Sequence, residues 1–235
     1  MKYRSLGPEK TVETIKKLQS RIQERFPTAG LGAVCGELFE IANESRAKSE
    51  WISKPNITFR LITYSIITIS LITLLYSISL MDLKLGNIHL AEAVQVAESV
   101  VNDMVFIGVA IFFLVTVEVR VKRARALEAL HELRAISHVI DMHQLTKDPS
   151  KILKKATSTA SSPQKRMSAF ELTRYLDYCS EMLSLTGKIS ALYAQKFNDP
   201  VVLSAVNELE TLTTGLSRKI WQKIVILHKL DESRD

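Results

Sequence analysis

The chain has 235 residues, a formal net charge of +6 and 46% hydrophobic residues, which suits one medium domain or two small ones and is ordinary for a soluble protein. Only 8 glycines and 6 prolines interrupt stretches rich in helix-forming Leu, Ala, Glu, Lys and Ile, which argues against a β-rich fold. The positive charge comes without a helix-turn-helix, a zinc knuckle or a basic ribbon interleaved with aromatics, so no nucleic-acid partner is expected.

The opening Met1-Lys2-Tyr3-Arg4 is polar and lacks the apolar stretch and small-residue cleavage site of a secretory signal, so no cleavage is expected there. A first helix is predicted from Glu9 to Phe26, with Val12, Ile15, Ile22 and Phe26 on one face and Pro27 ending it. A second runs from about Leu31 to Trp51 and places Leu31, Val34, Leu38, Ile41 and Ser45 at helical spacing. Trp51 falls where an aromatic residue would mark a membrane interface, and Pro55 separates this helix from the next segment.

Leu61 to Met81 is a run of 21 uncharged residues, about 31 Å of helix and thus the thickness of a hydrocarbon core. The connector that follows has a turn signal at Gly86-Asn87, then Leu90, Val94, Ala97 and Val101 at spacings of four, three and four. The second membrane helix is therefore expected to begin outside the bilayer, near Ile88. Its one-sided apolar stripe needs a cover, either the same stripe of another subunit or the lipid surface. Met104 to Val117 supplies 14 uncharged residues, only about 21 Å. Extension back over Val100 to Asp103, with Asp103 at the headgroups and Glu118 at the far boundary, reaches a spanning length.

Charge sets the expected orientation. Lys and Arg outnumber Asp and Glu by 11 to 7 before Leu61 and by 19 to 14 from Glu118 onward, but are outnumbered 1 to 4 between Asp82 and Asp103. Arg60 before the first span and Arg120, Lys122 and Arg123 after the second are the membrane-flanking positive charges, so both ends are expected in the cytosol and the connector outside. Localisation follows as a multi-pass protein of a plasma or bacterial inner membrane. The Asn43-Glu44-Ser45 and Asn56-Ile57-Thr58 triplets never meet a glycosylating compartment on this topology.

Beyond the second span the helical pattern continues as a stalk from Val119 to about Leu145. Thr146-Lys147-Asp148-Pro149 breaks it, with Asp148 as cap and Pro149 in the first turn of a short helix. Ala156 to Pro163 is small and rich in Ser and Thr, hence a linker. A helical hairpin follows. Ser168 and Glu171 match a capping box, and Asp199-Pro200 repeats the pattern of cap followed by proline. One arm carries Leu172, Leu176, Cys179, Leu183 and Ile189, the other Val202, Val206, Leu209, Leu216, Ile220 and Leu227, each near a seven-residue repeat suited to coiled-coil packing. Any stripe left open at Tyr175, Tyr178, Met182 and Trp221 would pack on the stalk or serve self-association.

The expected fold is therefore all-α. A two-transmembrane-helix hairpin (57–121, external connector near 82–103) joins N-terminal cytosolic helices (1–56) to a stalk with a short helix (122–157), a linker (158–167) and a C-terminal cytosolic helical hairpin (168–235). In this organisation the chain resembles the bacterial SLATT-type two-span effectors of nucleotide-signal defence systems, and departs from them through its long outer connector and sizeable helical tail. The resemblance implies membrane-effector activity and transfers no site residue.

Two groups of residues carry candidate chemistry. His131, His138 and Asp141 fall on roughly one face of the stalk. His138 and Asp141 supply only two ligands at metal-binding spacing, so the expected reading is a polar face with possible pH sensing by His131 and His138. His143 points elsewhere. In the first span Thr63, Ser70 and Ser77 are seven apart, and with Thr73 they make a hydroxyl stripe for helix packing or for lining a pore. Cys35 and Cys179 are expected to stay reduced in the cytosol. With no nucleophile elbow, phosphate loop, paired zinc motif or dinucleotide fingerprint, neither enzyme activity, nor a cofactor, nor a metal is expected. The expected function is a self-associating scaffold or signalling subunit in the lipid bilayer, a homo-oligomer able to bind a cytosolic protein through its C-terminal helices. An oligomeric small channel or membrane-permeabilising effector is the alternative, and a membrane-bound enzyme the second.

Overall fold

The computed structural model describes residues 5–80, 90–149 and 167–232. Among them the regular structure is helical: α1 (Pro8–Arg25), α2 (Leu31–Ser53), α3 (Ile57–Leu80), α4 (Leu90–Leu145), α5 (Ala169–Lys196) and α6 (Pro200–Glu232). The turn at Gly86-Asn87, the short helix after Pro149 and nearly all of the linker lie outside the described residues. The chain divides into two compact units, Met1–Ser53 with Arg125–Asp235, and Lys54–Ala124. α4 contributes to both.

The first unit is a helical bundle. Pro8 in the first turn of α1 has its φ set for a helix and no amide to leave unpaired, while Glu9 near the start and Arg25 near the end match the helix dipole. Thr11, Ile15, Leu18 and Ile22 form its buried face. Val12, expected there, is only partly buried, whereas Thr11 is buried and its hydroxyl donates to the Gly7 carbonyl at 3.2 Å. On α2, Leu31, Cys35, Leu38, Ala42, Ser45, Ser49 and Ile52 are all buried. Their alternating steps of four and three keep one narrow stripe toward the core, and Ile41, beside that stripe, is only partly buried.

α5 is the central helix. Its capping box forms as expected: the Ser168 hydroxyl accepts from the Glu171 amide at 3.2 Å, and the Glu171 carboxylate accepts from the Ser168 amide at 2.8 Å. Two seams rather than one are buried on α5. Leu172, Leu176, Cys179, Leu183 and Ile189 are joined in the core by Tyr175, Tyr178, Met182 and Tyr193, because α5 packs on α6 and also on α1 and α2. Phe26 meets the rings of Tyr175 and Tyr178 edge-on, with centroids 5.5 and 6.2 Å apart. The residues Tyr175, Tyr178 and Met182 therefore complete the interior of one chain, and Trp221 alone of that set is exposed.

α6 starts as the Asp199-Pro200 pair predicts, with the Asp199 carboxylate accepting from the amides of Val201 and Val202 at 3.0 and 3.2 Å. Its Val202, Val206, Leu209, Leu216, Ile220 and Leu227 are all buried. Gly187 of α5 permits close approach, since a Cβ there would stand 3.2 Å from the Thr213 hydroxyl.

The second unit is α3 with the first part of α4. Two of the described helices are long and apolar enough to cross a membrane, one window within Leu31–Thr73 and one within Ala97–Leu145, and neither window is buried. The 14 uncharged residues of the second segment do not limit its length, because α4 continues as helix on both sides of them. Asn56 caps α3, its side-chain oxygen accepting from the Thr58 amide at 3.1 Å. Its own amide donates to Glu118 at 3.0 Å, which sets the start of α3 beside the middle of α4.

Candidate functional site

Within the second unit both helices show a half-buried face and an exposed remainder. Asn56, just ahead of α3, and Phe59, Thr63, Ile66, Ile67 and Ser70 on it are half-buried; on α4 the half-buried positions include Ile107, Ala110, Leu114, Val117 and Val121. Steps of three and four on each helix are those of side chains meshing along one seam. The other faces are apolar too, with Leu61, Tyr64, Ile72, Phe106, Phe112 and Phe113 between 60% and 73% exposed. Helices apolar all round cannot leave those faces in water without a large unfavourable hydration term.

The structure divides the hydroxyl stripe. Thr63 and Ser70 share the half-buried face, while Thr73 is exposed; the side chain of Ser77 lies outside the described residues. The hydroxyls of Thr63, Thr68 and Thr73 donate to the carbonyls four residues earlier, at 2.8, 2.8 and 2.9 Å, as does Thr116 on α4 at 2.7 Å. Each donor is thus satisfied within its own helix.

The flanking charges play unequal parts. Arg60 and Arg120 are exposed, whereas Lys122 and Arg123 are half-buried. Lys122 pairs with Glu118 at 2.7 Å, so the carboxylate that receives the Asn56 amide is neutralised where α3 begins. Glu118 and Lys122 are four apart on one helix, but Asn56 lies 62 positions before Glu118, so nothing in the sequence pattern joins the three.

In the bundle, His131 and His138 are exposed on α4. His143, set aside on helical-wheel grounds, is the engaged one: its ring lies 3.4 Å from the Tyr175 hydroxyl and 3.0 Å from where a Cβ on Gly30 would stand. One turn of the helix end is further held by Lys223 of α6, which donates to the Gln144 carbonyl and side-chain oxygen at 2.8 and 2.7 Å. Burial holds the Lys223 ammonium below the usual lysine range, opposed by the charges of Asp148 and Asp141. Trp51 is partly buried against the core, and the Arg125 guanidinium stacks 4.0 Å from its ring centroid.

Ion pairs lace the bundle surface. Lys48 bridges Glu44 at 2.9 Å and Glu132 at 3.2 Å; burial alone would lower its pKa, but hydrogen bonds to the two carboxylates raise it. A groove of about 300 Å³ is lined by Arg21, Glu24, Arg25, Arg174 and Tyr178. Arg21 already pairs with Glu181 at 3.0 Å and Arg174 with Asp177 at 3.2 Å, so much of its positive charge is neutralised from within the chain. Among the described residues no group of three or more His, Cys, Asp or Glu is placed to hold a metal ion. Cys35 and Cys179 are buried and free, and burial pushes both thiols up to about 12, which leaves them protonated and poorly nucleophilic near neutral pH.

Comparison with protein-family models, with curated proteins and with solved structures found no match to this chain.

Proposed function

We propose that this chain is a non-enzymatic integral membrane protein in which α3 and α4 cross a bilayer as an antiparallel pair, both chain ends lie in the cytosol, and the helical bundle is the cytosolic part of a self-associating scaffold or signalling subunit. The observation that carries the reading is the contrast within one helix. α4 is apolar and exposed at Phe106, Phe112 and Phe113, then contributes Ala126, Ala129, Leu133 and Ile140 to a closed core. Such a helix has one stretch solvated by lipid and another by protein and water. The excess of Lys and Arg on both flanks supports the inward orientation of the ends.

The hydroxyls of α3 and α4 that bond to their own backbone support helix packing over a polar pore. Purified protein in liposomes tests this directly, beside mass measurement of the particle in nanodiscs. A scaffold gives no ion flux above protein-free liposomes and a particle of two or more copies. Flux that falls when Ser70→Leu and Thr73→Leu are combined would replace the scaffold with a channel. A silent monomer would replace self-assembly with tethering of another protein through the C-terminal helices.

A further inference from the structure

Most apolar seams of the bundle are consumed inside one chain, so self-association needs a surface elsewhere. α4 carries one. Val94, Ala97, Val101, Met104 and Gly108 are all exposed, at successive steps of three, four, three and four. The same alternation reaches Ile111, which is half-buried, and the exposed Val115. This row is separate from the half-buried Ile107, Ala110 and Leu114 face.

From Val94 to Val115 the row is about 32 Å long. A seven-residue apolar repeat sustained over three heptads is the pattern of a left-handed helix pair, since only a 3.5-residue period keeps one seam facing a partner. Lipid has no such period to match. On the membrane orientation proposed above, the first heptad of the row stands outside the hydrocarbon, where acyl chains do not surround it.

We propose that a second copy of this chain covers the row, with the two α4 helices parallel and every residue opposite its counterpart. A bilayer holds all copies in one orientation and at one depth, so the second copy presents the same apolar row in the same register without adjustment. The interface positions are uncharged, and no Lys or Arg occurs between Ala91 and Val119. Glu98 stands one place after Ala97, on the flank of the row. In a parallel pair that flank meets the opposite flank of the partner rather than its own copy, so like charges are kept apart. At Gly108 an added Cβ would meet nothing within 4 Å; the gap lies open for a partner backbone to approach. A helix pair in contact over this length buries on the order of 1,000 Å² in total, close to the ~1,200 Å² at which specific interfaces begin.

The proposal rests on the two-span reading, and single-cysteine replacements in the outer part of α4 separate the two. The native thiols are buried and stay silent in such an assay. In intact membranes under mild oxidation, Val94→Cys, Ala97→Cys and Val101→Cys should give disulfide-linked dimers at least tenfold more efficiently than Gln95→Cys, Ser99→Cys and Asn102→Cys. Equal cross-linking of both sets, or none in either, overturns the seam. Labelling of Ser99→Cys by a membrane-impermeant maleimide from outside supports the orientation; labelling only from the cytosolic side overturns the orientation while the cross-linking pattern still decides the seam. As a second test, Gly108→Leu adds a side chain whose Cβ meets nothing within 4 Å in its own chain, and should weaken dimers in nanodiscs at least tenfold with unchanged helix content. Dimers as strong as those of the parent protein overturn the close approach.

Discussion

The bundle and the apolar helix pair are built from similar helices with opposite surfaces. In the bundle the apolar residues turn inward, and Leu176, Leu183, Ile220 and Leu133 are buried while the outer faces carry Lys, Arg and Glu. In the helix pair Phe112 and Phe113 turn outward and Thr63 and Ser70 share the inner face. α4 changes from one scheme to the other along its length without a break. Helix formation is thus indifferent to the surroundings, and what differs is the medium each face can tolerate.

The sharpest way to break that comparison is to bury a charge in the bundle and to truncate an exposed ring in the helix pair. Leu176→Asp puts an unpaired carboxylate into the centre of the bundle and should cost about 3–5 kcal/mol, read as loss of the cooperative denaturant transition in detergent. Phe112→Ala, at a position 73% exposed, should change the same transition by less than ~0.5 kcal/mol. A comparable effect of the two would mean that Phe112 is buried in a folded interface and that the contrast between the regions is false.

Smaller effects sharpen the account of the bundle. Asp199→Ala removes the acceptor of two amides at the start of α6, and should destabilise the bundle by about 1–2 kcal/mol, with Ser168→Ala nearer ~1 kcal/mol. Thermal melts of the two variants order them; a larger loss for Ser168 would show that α5 depends on its cap more than on its packing. The smallest effect is expected at the exposed histidines. His131→Gln with His138→Gln should leave folding intact and stability within ~0.5 kcal/mol of the parent, measured from roughly pH 5 to pH 8, the range over which imidazole changes charge. A pH response of the parent that vanishes in the double variant would establish the sensing role.

Much of this architecture was legible in the chain itself. The α1 and α2 limits, the break near Pro55, the stalk ending at Leu145, the capping box of Ser168 and the start of α6 at Asp199-Pro200 all follow from local rules: caps, prolines and helical spacing act over a few residues. The apolar runs of α3 and α4 were equally plain, because length and absence of charge need no knowledge of neighbours. The core seam of each C-terminal arm was read from the same spacing.

Only the tertiary structure decided which of several apolar faces meets which partner. Tyr175, Tyr178 and Met182, open to assignment as an association stripe, close the interior because α5 packs against α1 and α2 as well as α6. His143 rather than His131 or His138 finds a partner, since the Tyr175 hydroxyl comes from a helix 32 residues away, and Asn56 meets Glu118 across 62 positions. The sequence by itself determined where helices begin, where they end and which medium their faces suit, because those are one-dimensional properties of spacing and charge. Pairing between distant faces depends on how the chain turns back on itself, and there the geometry of the folded chain chooses among stripes that look equally good in sequence.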